Sequence, residues 1–289
     1  MLCGVLLGAF LVGAGCGGSA EGLSVYGAAS LRDVLAAEVA ADPAHAVRIS
    51  TGGSNLLVEQ LLAGADADVV ITASGDELER LVDAGLVAPD DVRSLFTNQL
   101  VVIVRRERSA LSGGGGALAE PLGDEGDPDG PSGDEGEAPL GGVGSLARFL
   151  APDGGRIAIA HPTAVPAGRY ARAWLEQRGD WEALAPRVLQ ALDVRAALAA
   201  VESGGAAFGV VYATDARTSD AVRVVHVVAD GPRVEYFGGV LSASDRLDAA
   251  RAFLAGLDAL GSDRAASAET RARLVAAGFG VEAQTGGPR

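Results

Sequence analysis

Two stretches of the chain share a plan in which a strand turns through small residues into a helix that starts at a serine. In the first, residues 23–26 resemble the end of a strand, and the apolar residues from Leu31 onward recur at helical spacing. Ser30 stands at the N-cap position between them, with Asp33 three residues on to complete a capping box. Residues 49–56 repeat the plan around Ser54. Two such units place both helix starts at the carboxyl edge of a sheet.

Helix starts of this kind bind anions without the help of a basic side chain. The first N–H groups of a helix have no partner within the helix, and the helix dipole is positive there. The two serine hydroxyls are further donors. We therefore predict that Ser30 and Ser54 converge on one small ligand. In the alternative interpretation each serine only caps its own helix, and no ligand is needed.

Along the rest of the chain, strand patterns and helix patterns alternate, which indicates the α/β class. Strands are predicted at residues 47–50, 67–71, 100–104, 156–160, 208–212, 222–228 and 233–240. Helices are predicted at residues 56–62, 74–85, 146–150, 169–177, 181–188, 194–201, 247–257 and 267–277. Ser74 and Glu77 form another predicted capping box, and Asp193 is predicted to cap the helix that follows it. With 289 residues, the chain can form one large domain or two medium ones.

Residues 1–21 are predicted to be a leader and linker that precede the fold. The apolar run at residues 2–12 is shorter than the roughly 20 residues that span a membrane, but it suits a secretory signal. Cys16 follows two small residues and resembles the acylated cysteine of a bacterial lipoprotein signal. We predict export to the periplasm or to the outer face of the cell membrane, with a lipid anchor at Cys16. Cys3 is the other cysteine, so the fold has no disulfide or cysteine metal site.

Acidic residues dominate the charge of the chain. The formal net charge is -15 and the sequence pI about 4.6, which argues against a nucleic-acid partner. Many of the acids lie at residues 109–144, a Gly-rich segment without aromatic residues or apolar periodicity, which we predict to be a disordered surface loop. The alternating Asp127 and Asp129 also allow a calcium-binding interpretation, but no glutamate follows at the EF-hand position.

Seven short segments complete the pattern by their order and spacing. They are Gly-Ala-Ala-Ser-Leu (27–31), Gly-Ser (53–54), Gly-Ala-Asp-Ala-Asp-Val (64–69), Asn-Gln-Leu-Val-Val (98–102), Val-Pro-Ala-Gly-Arg-Tyr (165–170), Asp-Val-Arg-Ala-Ala-Leu (193–198) and Gly-Val-Val-Tyr (209–212). Together they resemble the molybdate-binding proteins that serve ABC importers, which belong to the type II periplasmic-binding-protein superfamily. The resemblance covers residues 23–280 apart from the acidic segment.

The resemblance implies two α/β lobes, each a mostly parallel sheet flanked by helices, with the ligand in the cleft between them. Residues 22–103 and 237–289 would form the first lobe, and residues 104–236 the second. The implied oxyanion contacts are the hydroxyls of Ser30, Ser54 and Tyr212 and the backbone N–H groups of Ala167 and Val194. The protein would act as a monomer that delivers its ligand to an ABC permease, without a cofactor.

The chemistry of these five contacts is consistent, because all of them are hydrogen-bond donors. A doubly charged tetrahedral oxyanion accepts hydrogen bonds at four oxygens and carries no proton at neutral pH. A site made only of N–H and O–H donors suits it and rejects protonated oxyanions such as phosphate. Donors held by two lobes favour molybdate or tungstate over the smaller sulfate. Molybdenum would be held only as the oxyanion and not as a bare cation.

Three other functions fit parts of the sequence. An enzyme would use Ser30 or Ser54 as nucleophile and His161 or His45 as base, but no Gly-x-Ser-x-Gly elbow surrounds either serine. A binding protein for sulfate or an organic acid is the second alternative. A carboxylate would call for an arginine clamp, and the arginines at positions 169 and 195 are predicted to point away. The third alternative is the sensor half of a transcription regulator, but the sequence contains no basic DNA-binding segment.

Overall fold

Two five-stranded sheets form the framework of the protein. The structure, a computed structural model, describes residues 22–41, 46–106, 155–257 and 265–280. The predicted leader with Cys16, the predicted acidic loop and His45 lie outside the described residues. Among the described helices, none is long and apolar enough to cross a membrane.

The first sheet combines strands from both ends of the described chain. Its strands are β1 (Leu23–Ala28), β2 (Val47–Gly52), β3 (Val69–Thr72), β4 (Val87–Asn98) and a late strand, Val234–Leu241, which is β10 below. Their order in the sheet is β2-β1-β3-β10-β4. The first three strands run parallel, and β10 runs antiparallel to both of its neighbours. The carboxyl ends of β1, β2 and β3 therefore meet at one edge.

The second sheet repeats this topology with the middle of the chain. Its strands are β5 (Leu100–Arg105), β6 (Ile157–Ala160), β7 (Val188–Ala191), β8 (Phe208–Tyr212) and β9 (Val222–Val227). The order is β7-β6-β8-β5-β9, with β6 parallel to β7 and β8, and β5 antiparallel to β8 and β9. The chain crosses between the sheets at Gln99 and again between β9 and β10.

Helices cover both sheets. Those beside the first sheet are α1 (Arg32–Ala41), α2 (Ser54–Leu62), α3 (Gly75–Asp83), α8 (Leu247–Leu257) and α9 (Ala265–Ala277). Those beside the second sheet are α4 (Pro166–Gln177), α5 (Trp181–Leu184), α6 (Val194–Glu202) and α7 (Ala213–Arg217). The predicted two-lobed type II fold is thus confirmed, although both sheets are mixed and not mostly parallel.

Several details differ from the sequence prediction. The twelve-residue strand β4 was predicted as no element at all, and β7 falls where a predicted helix ends. The boundaries predicted after residues 103 and 236 fall inside β5 and β10, because each of these strands lies wholly in one sheet. Because β4 lies at the edge of the sheet and has β10 as its neighbouring strand, nine of its twelve residues are exposed or partly exposed, and it carries little apolar periodicity.

The main core joins the two lobes into one apolar body. Its largest buried side chain is Trp174 of α4, and it continues through Phe96 and Tyr236 to the helices that follow β10. A smaller cluster lies under α2 and α3 and includes Val58, Leu61 and Leu81. Since the core runs behind the crossover strands, it holds the carboxyl edges of the two sheets opposite each other.

Candidate functional site

All five residues predicted from the sequence line one pocket between the lobes. The pocket occupies about 220 Å³, including the part that opens to solvent. Its walls are formed by Ala28, Ala29, Ser30, Gly52, Gly53, Ser54, Ala73, Val165, Pro166, Ala167, Asp193, Val194 and Tyr212. These residues come from loops at the carboxyl ends of β1, β2, β3, β6, β7 and β8. The pocket therefore lies at the junction of two parallel strand edges, where ligands bind in sheets of this type.

Ser30 reaches the pocket from a short 3-10 turn and not from an N-cap. The turn spans Ala29–Leu31, Ala28 is its N-cap residue, and no side chain caps it. The predicted capping box with Asp33 is therefore wrong, since Asp33 pairs with Arg195 of the other lobe. The Ser30 hydroxyl oxygen lies 2.7 Å from the hydroxyl oxygen of Tyr236.

Ser54 is the first residue of α2, and Gly53 is the N-cap residue. The Ser54 hydroxyl oxygen accepts a hydrogen bond from the backbone N–H of Ala73, at 3.1 Å. A Cβ atom at Gly53 would lie 3.3 Å from the backbone oxygen of Leu192 in the other lobe. The small residue thus allows the two lobes to approach, while the serine next to it faces the ligand space.

The second lobe contributes the N-termini of α4 and α6. Helix α4 begins with Pro166, and Arg169 is the first residue to donate to a backbone carbonyl at this end, to Val165 at 2.9 Å. Asp193 caps α6 as predicted, because its carboxylate accepts from the N–H of Ala196 at 2.9 Å. The N–H groups of Ala167 and Val194 precede the first hydrogen bonds of their helices, so they have no partner within them.

Tyr212 is the last residue of β8 and is only 1% exposed. Within the described part of the chain, its hydroxyl oxygen has no hydrogen-bond partner. Burial raises the pKa of the Tyr212 hydroxyl well above its usual value, with a smaller effect from the neighbouring Tyr236. The phenol is therefore protonated at neutral pH, and it is a donor without an acceptor in the pocket wall.

The electrostatics of the pocket depend on dipoles and not on basic side chains. Asp193 is the one charged residue among the lining residues that the structure describes, and its carboxylate is engaged at the α6 N-terminus. Three helix starts and three hydroxyls surround the space. Such an arrangement of donors and positive helix ends favours an anion over a neutral ligand.

Comparison with known proteins agrees with this geometry. Residues 23–280 match the family model described as bacterial extracellular solute-binding protein. The chain belongs to this family. Its members are extracellular, which agrees with the predicted export.

Three known proteins are similar to this solute-binding protein. The molybdate-binding protein ModA of Escherichia coli (strain K12) is 30% identical over 219 residues, which are 74% of this chain and 75% of that protein. The periplasmic molybdate-binding protein of Azotobacter vinelandii has a TM-score of 0.66 at 21% identity, over 89% of this chain and 98% of that one. The sulfate-binding protein SubI of Mycobacterium tuberculosis has a TM-score of 0.64 at 17% identity, over 89% and 86%. The two solved structures show the shared fold.

Two arginines beside the predicted donors point away from the pocket, as predicted, and join the lobes. Arg169 of α4 donates to the carboxylate of Glu77 in α3 at 2.7 Å and to the Ser74 hydroxyl at 3.1 Å. Glu77 therefore serves an ion pair instead of the predicted capping box, and Ser74 makes no side-chain cap. These contacts close the cleft of the solute-binding protein on one side of the pocket.

On the other side of the pocket, Arg195 of α6 contacts Asp33 of α1 and lies 2.6 Å from the carboxylate of Asp215. Asp215 is fully buried, and burial raises its pKa to about 7 against the lowering effect of Arg195. The guanidinium is thus used by two carboxylates and does not reach the ligand space. A clamp for a carboxylate ligand, as an organic-acid binder would need, is not formed by Arg169 or Arg195.

His161 does not line the pocket. It is exposed, and its Nδ1 atom lies 3.4 Å from the backbone nitrogen of Thr163 and 3.3 Å from that residue's hydroxyl oxygen. Neither Ser30 nor Ser54 has a hydrogen bond to this histidine among those that the structure describes. His161 is therefore not brought to either serine as the base of the enzyme alternative, and His45 lies outside the described residues.

Sequence reasoning missed a polar cluster behind the pocket. Its members are Asn98 at the end of β4, Thr214 at the start of α7 and Tyr236 of β10. The Asn98 amide lies 2.9 Å from the Thr214 hydroxyl oxygen and 3.2 Å from that of Tyr236. The signal that could have indicated it is the Asn-Gln pair before the apolar run of β5.

Proposed function

We propose that this solute-binding protein captures molybdate, or tungstate, in the interlobe pocket and delivers it to an ABC permease in the membrane. The observation that carries the proposal is the Tyr212 hydroxyl, which is buried and without a partner in the described structure. A buried hydroxyl without a partner costs about 1–3 kcal/mol of stability. A bound ligand that accepts a hydrogen bond from this hydroxyl would remove that cost. The two relatives named for molybdate support the identity of the ion.

The donors in the pocket suit a fully deprotonated oxyanion. The Ser54 oxygen already accepts from the N–H of Ala73, so its own proton is available to the ligand. Tyr212 and the N–H groups of Ala167 and Val194 are available in the same way. Each oxygen of molybdate accepts such bonds, whereas a protonated oxyanion also needs an acceptor for its hydrogen. Hydrogen bonds from a dry pocket to a charged group are the strong ones.

The size of the pocket favours a small inorganic ion. Even with the part that opens to solvent included, its empty space is only about 220 Å³, and ligand pockets for larger organic molecules are roomier. Sulfate has the same charge and shape as molybdate, and a sulfate-binding protein shares the fold. Molybdate is larger, however, and donors fixed by two closed lobes cannot all shorten to meet a smaller ion. Sulfate is therefore the alternative ligand that the test must include.

Calorimetric titration of the purified protein with molybdate, tungstate, sulfate and phosphate tests the proposal. We expect tight binding of molybdate and tungstate and weaker binding of sulfate and phosphate. Ligand at 100 times its dissociation constant should also stabilise the folded protein by about 2.7 kcal/mol. Sulfate binding tighter than molybdate would favour the alternative, and a folded protein that binds none of the four would overturn the proposal.

The backbone donor at Val194 can be removed by a proline. Val194 is the first residue of α6, where proline fits, and Asp193 before it is extended, with φ -154° and ψ -177°. We expect Val194→Pro to lower molybdate affinity about tenfold, at the low end for a bond to a charged group because neighbouring N–H groups remain. Val194→Ala keeps the N–H and is the control for lost side-chain packing. Equal affinities of the two variants would exclude this N–H as a contact.

We also propose that the protein acts as a monomer held at the outer face of the cell membrane by a lipid on Cys16. The cysteine follows two small residues after a short apolar run, and all five predicted oxyanion contacts lie in one pocket of the chain. Expressed with its leader, the wild type should sediment with membranes, whereas Cys16→Ser should be released or remain unprocessed. Equal release of the two proteins would argue against the anchor.

A further inference from the structure

A hydrogen-bonded chain of three side chains leads from the crossover between the lobes to the pocket. The Asn98 amide nitrogen lies 3.2 Å from the hydroxyl oxygen of Tyr236, and this oxygen lies 2.7 Å from that of Ser30. Tyr236 is 0% exposed and Ser30 is 3% exposed. Only Ser30 lines the pocket. The other two residues are not among those that line the pocket, so their hydrogen bonds can act on the ligand through Ser30.

The direction is fixed first at Asn98. The side-chain oxygen of Asn98 accepts from the backbone N–H of Gln99 at 2.9 Å. Because a backbone N–H can only donate, the atom facing it must be the amide oxygen. The amide nitrogen therefore faces Thr214 and Tyr236, and it donates to both hydroxyl oxygens.

At Tyr236 the direction continues toward the pocket. Its hydroxyl oxygen receives the Asn98 proton, so its own proton needs a different acceptor. The rings of Phe96, Phe279 and Tyr212 surround the Tyr236 ring, with centroids 5.1, 5.5 and 6.2 Å away. The Ser30 oxygen, at 2.7 Å, is the acceptor that the described contacts provide. Tyr236 thus donates to Ser30, and the Ser30 proton points elsewhere, into the pocket that this side chain lines.

We propose that Asn98 and Tyr236 are positioning residues that turn the Ser30 hydroxyl into an obligatory donor, and so set the preference for fully deprotonated oxyanions. The inference rests on the proposed function. It gives Ser30 the same constraint that the Ala73 N–H gives Ser54. Without the hydrogen bonds from Asn98 to Tyr236 and from Tyr236 to Ser30, the Ser30 hydroxyl can rotate and accept a hydrogen bond from a protonated oxyanion.

Tyr236→Phe removes the link to Ser30 and keeps the ring. We expect molybdate affinity to fall about tenfold, as for one hydrogen bond to a charged group. The deciding readout is discrimination, measured as the ratio of the dissociation constants of phosphate and molybdate in competition titrations. We expect this ratio to decrease about tenfold, because the freed Ser30 oxygen can accept a hydrogen bond from phosphate, which carries a proton. Tyr212→Phe is the control, since it removes a donor that both ions use and should leave the ratio unchanged.

Asn98→Asp reverses the direction of these hydrogen bonds and does not merely break them. A carboxylate accepts from both the Gln99 N–H and the Tyr236 hydroxyl, so the Tyr236 oxygen must then accept from Ser30. The Ser30 proton is turned away from the pocket. We expect a larger loss of molybdate affinity than in Tyr236→Phe and a further decrease in the ratio of the phosphate to the molybdate dissociation constant. In the double variant Asn98→Asp with Tyr236→Phe, the loss of molybdate affinity should be no larger than in Tyr236→Phe alone, because phenylalanine has no hydroxyl to reorient.

The outcomes separate this inference from the proposed function. If the wild type binds molybdate and Tyr236→Phe leaves the phosphate to molybdate ratio unchanged, the positioning role is refuted while the function stands. Additive losses in the double variant would also refute it, because they would indicate a long-range effect of the new charge. If the wild type binds no oxyanion while folded, the proposed function fails, and this inference fails with it.

Discussion

Gly168→Ala should lower the free energy of unfolding by about 3 kcal/mol and abolish tight oxyanion binding. A Cβ atom at Gly168 would lie 2.2 Å from the backbone oxygen of Ala160 and 2.4 Å from that of His161. Both atoms belong to the carboxyl end of β6 and the loop after it, so neither can rotate away. The N-terminus of α4 would have to move outward, and the N–H of Ala167 would move with it. Urea unfolding and molybdate titration measure the two effects.

Gly256→Ala is the matched control for this substitution. Gly256 lies within α8, far in sequence from the site, and a Cβ atom there would meet nothing within 4 Å. Since glycine is unfavourable in a helix, this variant should gain about 0.5–1 kcal/mol of stability and bind as the wild type does. If Gly168→Ala instead keeps wild-type stability and affinity, the close approach of α4 to β6 is not what positions Ala167.

The parts of the site that the sequence predicted are those that local signals determine. The helix starts near Ser54, Ala167 and Val194 and the strand end at Tyr212 follow from apolar spacing and from the small residues next to them. Strands of one direction bring such starts to one edge. The structure places all of these residues in one pocket. Their role as ligand contacts stays a prediction.

The parts that the sequence did not predict depend on partners far along the chain. Asp33 has the spacing of a capping box, but it pairs with an arginine 162 residues away. Glu77 likewise pairs with Arg169, 92 residues away. Strand β4 contains Pro89 and the neighbouring acids Asp90 and Asp91, and it forms because β10 provides its partner. Tertiary contacts override local propensity in each case.

The same reasoning explains why Tyr236 was missed. The sequence around it resembles an ordinary crossover strand, and its contact with Ser30 spans 206 residues. Its chemical role exists only once Asn98 and Ser30 lie on either side of its hydroxyl. A donor at the end of a strand, such as Tyr212, can be suspected from position alone, whereas a residue that acts through another needs the assembled fold.

Tyr212→Phe should lower molybdate affinity about 100-fold, the upper end for a hydrogen bond to a charged group, while it raises the stability of the ligand-free protein. The Tyr212 hydroxyl is buried, and the described structure contains no partner for it. Removing it relieves a polar group that costs about 1–3 kcal/mol, and phenylalanine keeps the packing of the ring. The ligand, however, loses a fully desolvated donor. Calorimetric titration and urea unfolding without ligand measure the two opposite effects.

Tyr236→Phe is the control for the sign of the stability effect. The Tyr236 hydroxyl is hydrogen-bonded to Ser30 and Asn98. Removing it breaks both bonds, and although Asn98 keeps its bond to Thr214, the buried Ser30 hydroxyl loses its described partner. The change should destabilise the ligand-free protein by about 1 kcal/mol. The two tyrosines are neighbours, with ring centroids 6.2 Å apart, so the comparison holds the surroundings nearly constant. If Tyr212→Phe destabilises the ligand-free protein as Tyr236→Phe does, the Tyr212 hydroxyl has a structural partner and is not held ready for a ligand.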